Sequence, residues 1–190
     1  MTDDGDVGRV MKLSESFVAL GHDALLTNRV VVMGEAPRSA KHDVNVGEPL
    51  SGRSGRILAD CCGVDLWEFM QAFERRNLLR AVPGLAPSGK GTLWPKDLAR
   101  AAARSVIAER RLEGRRVVFL GGRVLDAFAN WVSLPRNQER FRWVDLGAFE
   151  VAVAPYPSGV NRWWNDWRHR EQAKVFWRDA LTRSLTGTRA

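Results

Sequence analysis

Three stretches carry residue types that can do chemistry. The first starts at Gly34 as GEAPRSAKHD and continues through GEPLSGRSG to Gly55. It holds the carboxylates Glu35 and Asp43 and the imidazole of His42. A positioned carboxylate or imidazole can move a proton or orient a water. His42 is the only histidine in a motif loop, so it is the one candidate for acid–base or phosphate work. The glycine-rich stretch that ends the segment, around Arg53 and Ser54, offers backbone N–H groups to a phosphate or a developing negative charge. The second stretch is Gly121-Gly122-Arg123, a tight turn suited to a phosphate. The third, PYPSGVNRWWND, runs from Pro155 to Asp166. Arginine binds phosphates in a bidentate fork and stacks on flat groups. Aromatic faces beside cations suit unstacked bases. Arg162, Trp163 and Trp164 therefore read as a surface that touches something flat. The plainer alternatives are a strand–helix connection for GEAP and a core anchor for one of the two rings. One ring is expected inside and one outside, with the order open.

Four strand-like runs position these loops: residues 29–33 (RVVVM), 77–82 (NLLRAV), 116–120 (RVVFL) and 149–154 (FEVAVA). Three are continuous and apolar, as parallel strands covered on both faces should be. Helical segments alternate with them at 13–26, 55–62, 65–74, 95–112 and 124–131, and a last one lies within 160–185. Pro95 and Gly114 bracket one of these in the expected sense. Such alternation predicts an α/β fold with right-handed crossovers. Sites in open parallel sheets sit beyond the carboxyl ends of the strands. All three loops leave those ends, so they should converge on one crevice. The loop at 83–94, rich in Gly and Pro, either folds over a ligand or serves as a connector.

The chain has 190 residues, 45% hydrophobic and 27% charged, which suits one globular domain over 1–190 with frayed ends at 1–11 and 186–190. No apolar run is long enough for a membrane span, so no membrane partner is expected. The start, MTDDGDVGRVMK, lacks a signal-peptide core, from which a cytoplasmic location is expected. The only cysteines, Cys61 and Cys62, are sequence neighbours and read as small buried residues. No CxxC pair exists, so no metal and no cofactor is expected. Net charge is +7, and arginine far outnumbers lysine. With eight tryptophans, that balance points to nucleic acid. His22 and His169 read as surface or structural residues.

The order GEAP, then GxPxxGRxG in residues 47–55, then PxPSGxN in residues 155–161 resembles the uracil-DNA glycosylase superfamily, most closely its GEAPG-type branches. The likeness runs from about Val30 to the final helix. It implies a three-layer α/β/α sandwich with a central four-stranded parallel sheet. It also implies a monofunctional DNA glycosylase that flips a base into a pocket and hydrolyses its N-glycosidic bond, leaving an abasic site. By this resemblance Glu35 and Pro37 fall in the water-activating motif and its turn. Asp43, with His42 beside it, is the nearest candidate for the water-positioning acid. Asn77 falls where the family reads the base edge, and an amide offers both a donor and an acceptor. Tyr156 and Ser158 fall in the family's His-Pro-Ser or Asn-Pro-Ser motif. Gly159, Asn161, Arg162, Trp163 and Trp164 fall in the loop that enters the minor groove, and Arg53 and Ser54 complete the expected DNA contacts.

The chemistry suits these residue types. The sugar passes through an oxocarbenium-like state that a carboxylate stabilises. Donors stabilise the departing base anion. A planar or apolar wedge fills the gap left in the stack. Four departures separate the chain from a uracil remover. Arg38 stands in place of a glycine, the 38–46 segment is longer, Leu50 replaces a stacking Phe, and Tyr156 replaces His. The iron–sulfur cysteines of the nearest branch are absent. The pocket is expected to take a bulky modified pyrimidine, such as a hydroxymethylated or glucosylated cytosine of phage DNA, in an anti-phage role. The alternatives are a non-catalytic DNA-binding module, a uracil-removing repair enzyme, or an enzyme of free nucleosides. A monomer is expected.

Overall fold

The computed structural model describes residues 29–37, 48–81, 93–132, 140–158 and 161–187. The expected helix at 13–26 and most of the 83–94 loop lie outside them. The strands are β1 (Val31–Gly34), β2 (Glu74–Asn77), β3 (Arg116–Leu120), β4 (Val144–Asp145) and β5 (Glu150–Ala154). The helices are α1 (Arg53–Cys62), α2 (Leu66–Ala72), α3 (Lys96–Ala108), α4 (Gly122–Phe128) and α5 (Trp167–Thr186), and a 3₁₀ turn at Arg162–Asn165 precedes α5. The five strands form one sheet in the order β2-β1-β3-β5-β4. The first four in that order are parallel, and β4 joins β5 antiparallel. The fold is thus α/β with the four expected parallel strands and one added edge strand. With only two residues, β4 shows too little pattern for its sequence to reveal it.

Strand periodicity explains the layers. Successive side chains point to opposite faces. Val30, Val32, Val118, Leu120, Ala152 and Ala154 face one way, into a core with Leu58, Phe69, Phe73 and Trp177 from α1, α2 and α5. Val31, Met33, Val117, Phe119 and Val151 face the other way, against Ala99, Ala103, Val124 and Phe128 of α3 and α4. Helices on both faces require the central strands to be apolar, and β1 and β3 are, apart from Arg116 at the start of β3, which pairs with Glu150. The first face is aromatic: Trp177 is fully buried and meets Phe69, Phe73 and Phe176 edge-on.

Local signals set the boundaries. Asp65 caps α2 and Glu68 reaches back to complete a capping box. Asp166 caps α5, which ends at Gly187 in the left-handed region. Helix α3 stops at Ala108, short of the expected residue 112. The chain turns there, with Arg110 at φ 53, yet Leu112 is only 1% exposed. A buried leucine beyond the helix end prolongs the apolar rhythm without prolonging the helix. Strand β2 also corrects the expectation of 77–82. It is an edge strand of three charged residues and an asparagine, ERRN, whose Glu74 pairs with Arg76 and Arg115. Leu78 and Leu79 follow it as buried residues, bonded through their N–H groups to the carbonyls of Gly34 and Glu35. The shift places Asn77 at the carboxyl end of its strand. Cys61 and Cys62 are buried on α1 as expected, and burial pushes the Cys61 thiol up to about 11.

Candidate active site

Four strand ends meet on one edge: Gly34, Asn77, Leu120 and Ala154. Two glycines let groups there approach closely. A Cβ on Gly34 would lie 3.0 Å from Asn77 Oδ1, so the amide rests against bare backbone. A Cβ on Gly121 would lie 3.3 Å from Tyr156 Cβ and 3.5 Å from Glu35 Oε1. One point above β3 is thus within reach of both the carboxylate and the tyrosine. Gly121 has φ 87 and ψ 160, a backbone state that only glycine adopts without strain. Sequence reading gave the GG turn to a phosphate and missed this spacing role.

Glu35, Tyr156, Asn161 and Trp163 line a cleft of about 560 Å³ with Gly121, Arg123, Asp126 and Arg140. Arg123 donates from Nη1 to Glu35 Oε2 at 3.1 Å and lies 5.8 Å from the centre of the Trp94 ring. Its guanidinium therefore serves the carboxylate rather than standing alone as a phosphate contact. Arg140 and Asp126 were not singled out from the sequence. Neither lies in a recognisable motif, and only the fold brings them to the cleft.

The loop after β5 is organised around the Tyr156 carbonyl. That oxygen accepts from Ser158 N at 2.9 Å, Asn161 Nδ2 at 3.0 Å and Trp164 Nε1 at 3.0 Å. Asn161 Oδ1 also accepts from Trp163 N at 3.1 Å, capping the 3₁₀ turn. Both ends of the Asn161 amide are thus engaged in building the loop, where the sequence had placed a DNA contact. Trp164 is the inside ring, 7% exposed in the aromatic core. Its burial sets it as the anchor of the loop, so it is not the exposed ring of the pair. Trp163 is half-buried: it stacks on His169 at 4.6 Å and 3°, with Arg140 6.0 Å from its ring centre. Arg162 is exposed. His169 is structural, its Nδ1–H donating to the Trp163 carbonyl at 3.0 Å.

The glycine-rich stretch is as tight as its composition predicts. A Cβ on Gly55 would lie 1.8 Å from the Leu50 carbonyl oxygen, so only glycine fits. Leu50 itself takes φ 60 and packs against the aromatic core. Arg75 of β2 holds this segment, donating to the Pro49 carbonyl at 2.8 Å. Ser54 is 7% exposed and Arg53 is exposed. Ser158, Arg53 and Trp164 line a different cleft, on the α1–α5 side of the loop. Pro37 follows Glu35 as a half-buried residue. Arg38, His42, Asp43 and Gly159 lie outside the described residues. Among the described residues, no group of three His, Cys, Asp or Glu side chains could hold a metal ion, and no helix is long and apolar enough to cross a membrane.

Chemically, Glu35 can hold an ionised oxygen toward a developing cation or a water. Asn77 can pair with a base edge. Tyrosine can donate to a departing anion, though it carries no charge at neutral pH. No curated protein matches the chain. Residues 21–181 match the uracil DNA glycosylase superfamily, whose members act on DNA, and over that span the chain belongs to the uracil DNA glycosylase superfamily.

Proposed function

We propose that the protein is a monofunctional DNA glycosylase that hydrolyses the N-glycosidic bond of a modified pyrimidine and leaves an abasic site. The observation that carries this is the approach of Glu35 Oε1 and Tyr156 Cβ to one point above Gly121, with the Asn77 amide resting on Gly34 at the end of β1. A carboxylate for the sugar cation, a neutral donor for the leaving base and an amide for its edge are the parts the reaction needs. In this reading Asp43, with His42 beside it, positions the water. Arg38, Pro37 and Leu50 border the base, while Ser158, expected beside them, lines the cleft on the α1–α5 side of the loop. Leu50 in place of a stacking ring leaves room for a substituent at the pyrimidine. Hydroxymethylcytosine and its glucosylated form are the substrates proposed, which makes the protein a cytoplasmic, monomeric defence factor against phage DNA.

The test is incubation with DNA holding uracil, hydroxymethylcytosine, glucosylated hydroxymethylcytosine or ordinary bases, followed by alkali to break abasic sites. Breaks at a modified cytosine, lost in Asp43→Ala and reduced in Glu35→Gln, are expected. Efficient release of uracil with no action on modified bases would overturn the substrate and favour a repair enzyme. A second reading, a non-catalytic DNA-binding module, is favoured by the Glu35–Arg123 ion pair, since a carboxylate held by a guanidinium is a poorer partner for a sugar cation. Tight, salt-sensitive binding without breaks on any substrate would establish it.

A further inference from the structure

The loop after β5 has a cleft on each side, and only one of them has been given a task. The second, of about 550 Å³, lies between α1 and α5. Its rim carries Arg53, Arg170, Lys174 and Trp167. Trp167 is 66% exposed, among the most exposed large rings of the described residues. Arg53 and Arg170 make no ion pair among the described residues. Lys174 is bound to Glu171 at 2.7 Å, which leaves Asp60 as the other acidic group on the rim. Ile57 and the buried Trp164 form an apolar floor.

We infer that this second cleft holds an unstacked nucleotide of the same DNA strand, with the Trp167 ring as its stacking platform and Arg53 and Arg170 on its phosphates. Three observations converge. The ring is large, exposed and shares its cleft with two guanidinium groups that make no ion pair among the described residues, the combination that binds single-stranded nucleic acid with little regard to sequence. The cleft opens beside Ser158, and the opposite side of the same loop is lined by Tyr156 and Asn161 of the first cleft. A strand engaged at the first cleft need only pass over this loop to reach the second. The ring also has no structural duty: it sits at the first position of α5, outside both hydrophobic cores. A base inside a regular duplex has both faces covered by its neighbours, so Trp167 can stack only where the strand is single or locally opened. The inference rests on the reading of the first cleft as a DNA site. It adds a strand preference: single-stranded or melted DNA over a fully paired duplex.

The test compares binding of a labelled single strand and of its fully paired duplex to the full chain, by fluorescence anisotropy at fixed salt. The wild type should bind the single strand more tightly. Trp167→Ala should weaken single-strand binding by roughly ten- to a hundredfold, the range found for losing one base-stacking ring, and leave duplex binding within about twofold. Trp167→Phe should restore most of the loss, and Arg170→Gln should flatten the salt dependence of single-strand binding. Equal affinity of wild type and Trp167→Ala for the single strand overturns the inference. Base excision is assayed on the same samples. Excision without any Trp167 effect removes the second cleft alone. A Trp167 effect without excision on any DNA removes the glycosylase reading and leaves the second cleft standing.

Discussion

The two sides of the sheet's carboxyl edge are built by opposite means. On the β1–β3 side, closeness comes from missing side chains. Gly34 lets the Asn77 amide lie against the backbone, and Gly121 admits Glu35 and Tyr156 to the same point. On the β5 side, closeness comes from filling. The Tyr156 carbonyl gathers three donors, the Trp164 ring is buried beneath it, and Trp163 is clasped by His169 and Phe141. The difference separates two jobs. Bare backbone fixes where a carboxylate and an amide can stand without adding bulk to the cleft. Packed rings anchor the described part of this polar loop, so that Arg162 and Trp167 are carried beside a filled core. Substitutions on the β5 side should therefore damage stability first, and substitutions on the β1–β3 side should damage chemistry first.

The strongest test of that division is Trp164→Ala. It removes a nearly fully buried ring and one of the three donors on the Tyr156 carbonyl. Large-to-small changes of this kind cost about 3–5 kcal/mol, and one of the three hydrogen bonds to the carbonyl is lost with the ring. Chemical denaturation should show a drop of that size with an unchanged slope. A loss below about 1 kcal/mol would mean that the Asn161 and Ser158 bonds hold the loop without the ring, and the contrast between the two sides would fail.

The same contrast explains what the sequence reveals. Runs such as RVVFL announce buried strands because burial on both faces demands apolar residues throughout, and the strand at 116–120 has those bounds in the structure. The sequence GRSG announces a tight turn because a Cβ at Gly55 would strike the Leu50 carbonyl. ERRN announces nothing, since an edge strand can be held by ion pairs as well as by apolar contacts. The ring that became the anchor could not be named in advance. Trp163 and Trp164 are adjacent, and the turn of the 3₁₀ segment alone decides which one points inward. Trp167 was passed over because it stands just past the stretch that ends at Asp166. Arg123 was legible as a cation near the site but not as the partner of Glu35, which is distant in sequence and meets it only across β1 and β3.

On the glycine side the decisive change is Gly121→Ala. Its backbone state is nearly exclusive to glycine, so alanine costs about 1–2 kcal/mol in strain. The added methyl would also press on Tyr156 Cβ, 3.3 Å away, and on Glu35 Oε1 at 3.5 Å. Displacing reacting groups by a fraction of an ångström to an ångström costs on the order of tenfold to a hundredfold in rate. Excision should thus fall by more than the modest loss in melting temperature suggests. Full activity in a folded Gly121→Ala protein would show that Glu35 and Tyr156 have no need of that shared point.

The smallest effect on stability is expected from Arg123→Gln, and its smallness is the informative part. The Arg123–Glu35 pair spans the cleft with side chains 49% and 23% exposed. Pairs that accessible contribute at most about 1 kcal/mol, because water screens them and two long side chains must be held still. The melting temperature should shift by no more than about 2–4 °C for a chain of this size. If the guanidinium only blocks the carboxylate, excision should rise when it is removed. If it holds the carboxylate in place, excision should fall while binding of DNA changes little. A large stability loss with no change in excision would assign the pair to the fold instead. The β1–β3 side would then be a filled structure like its neighbour rather than a space kept open for chemistry.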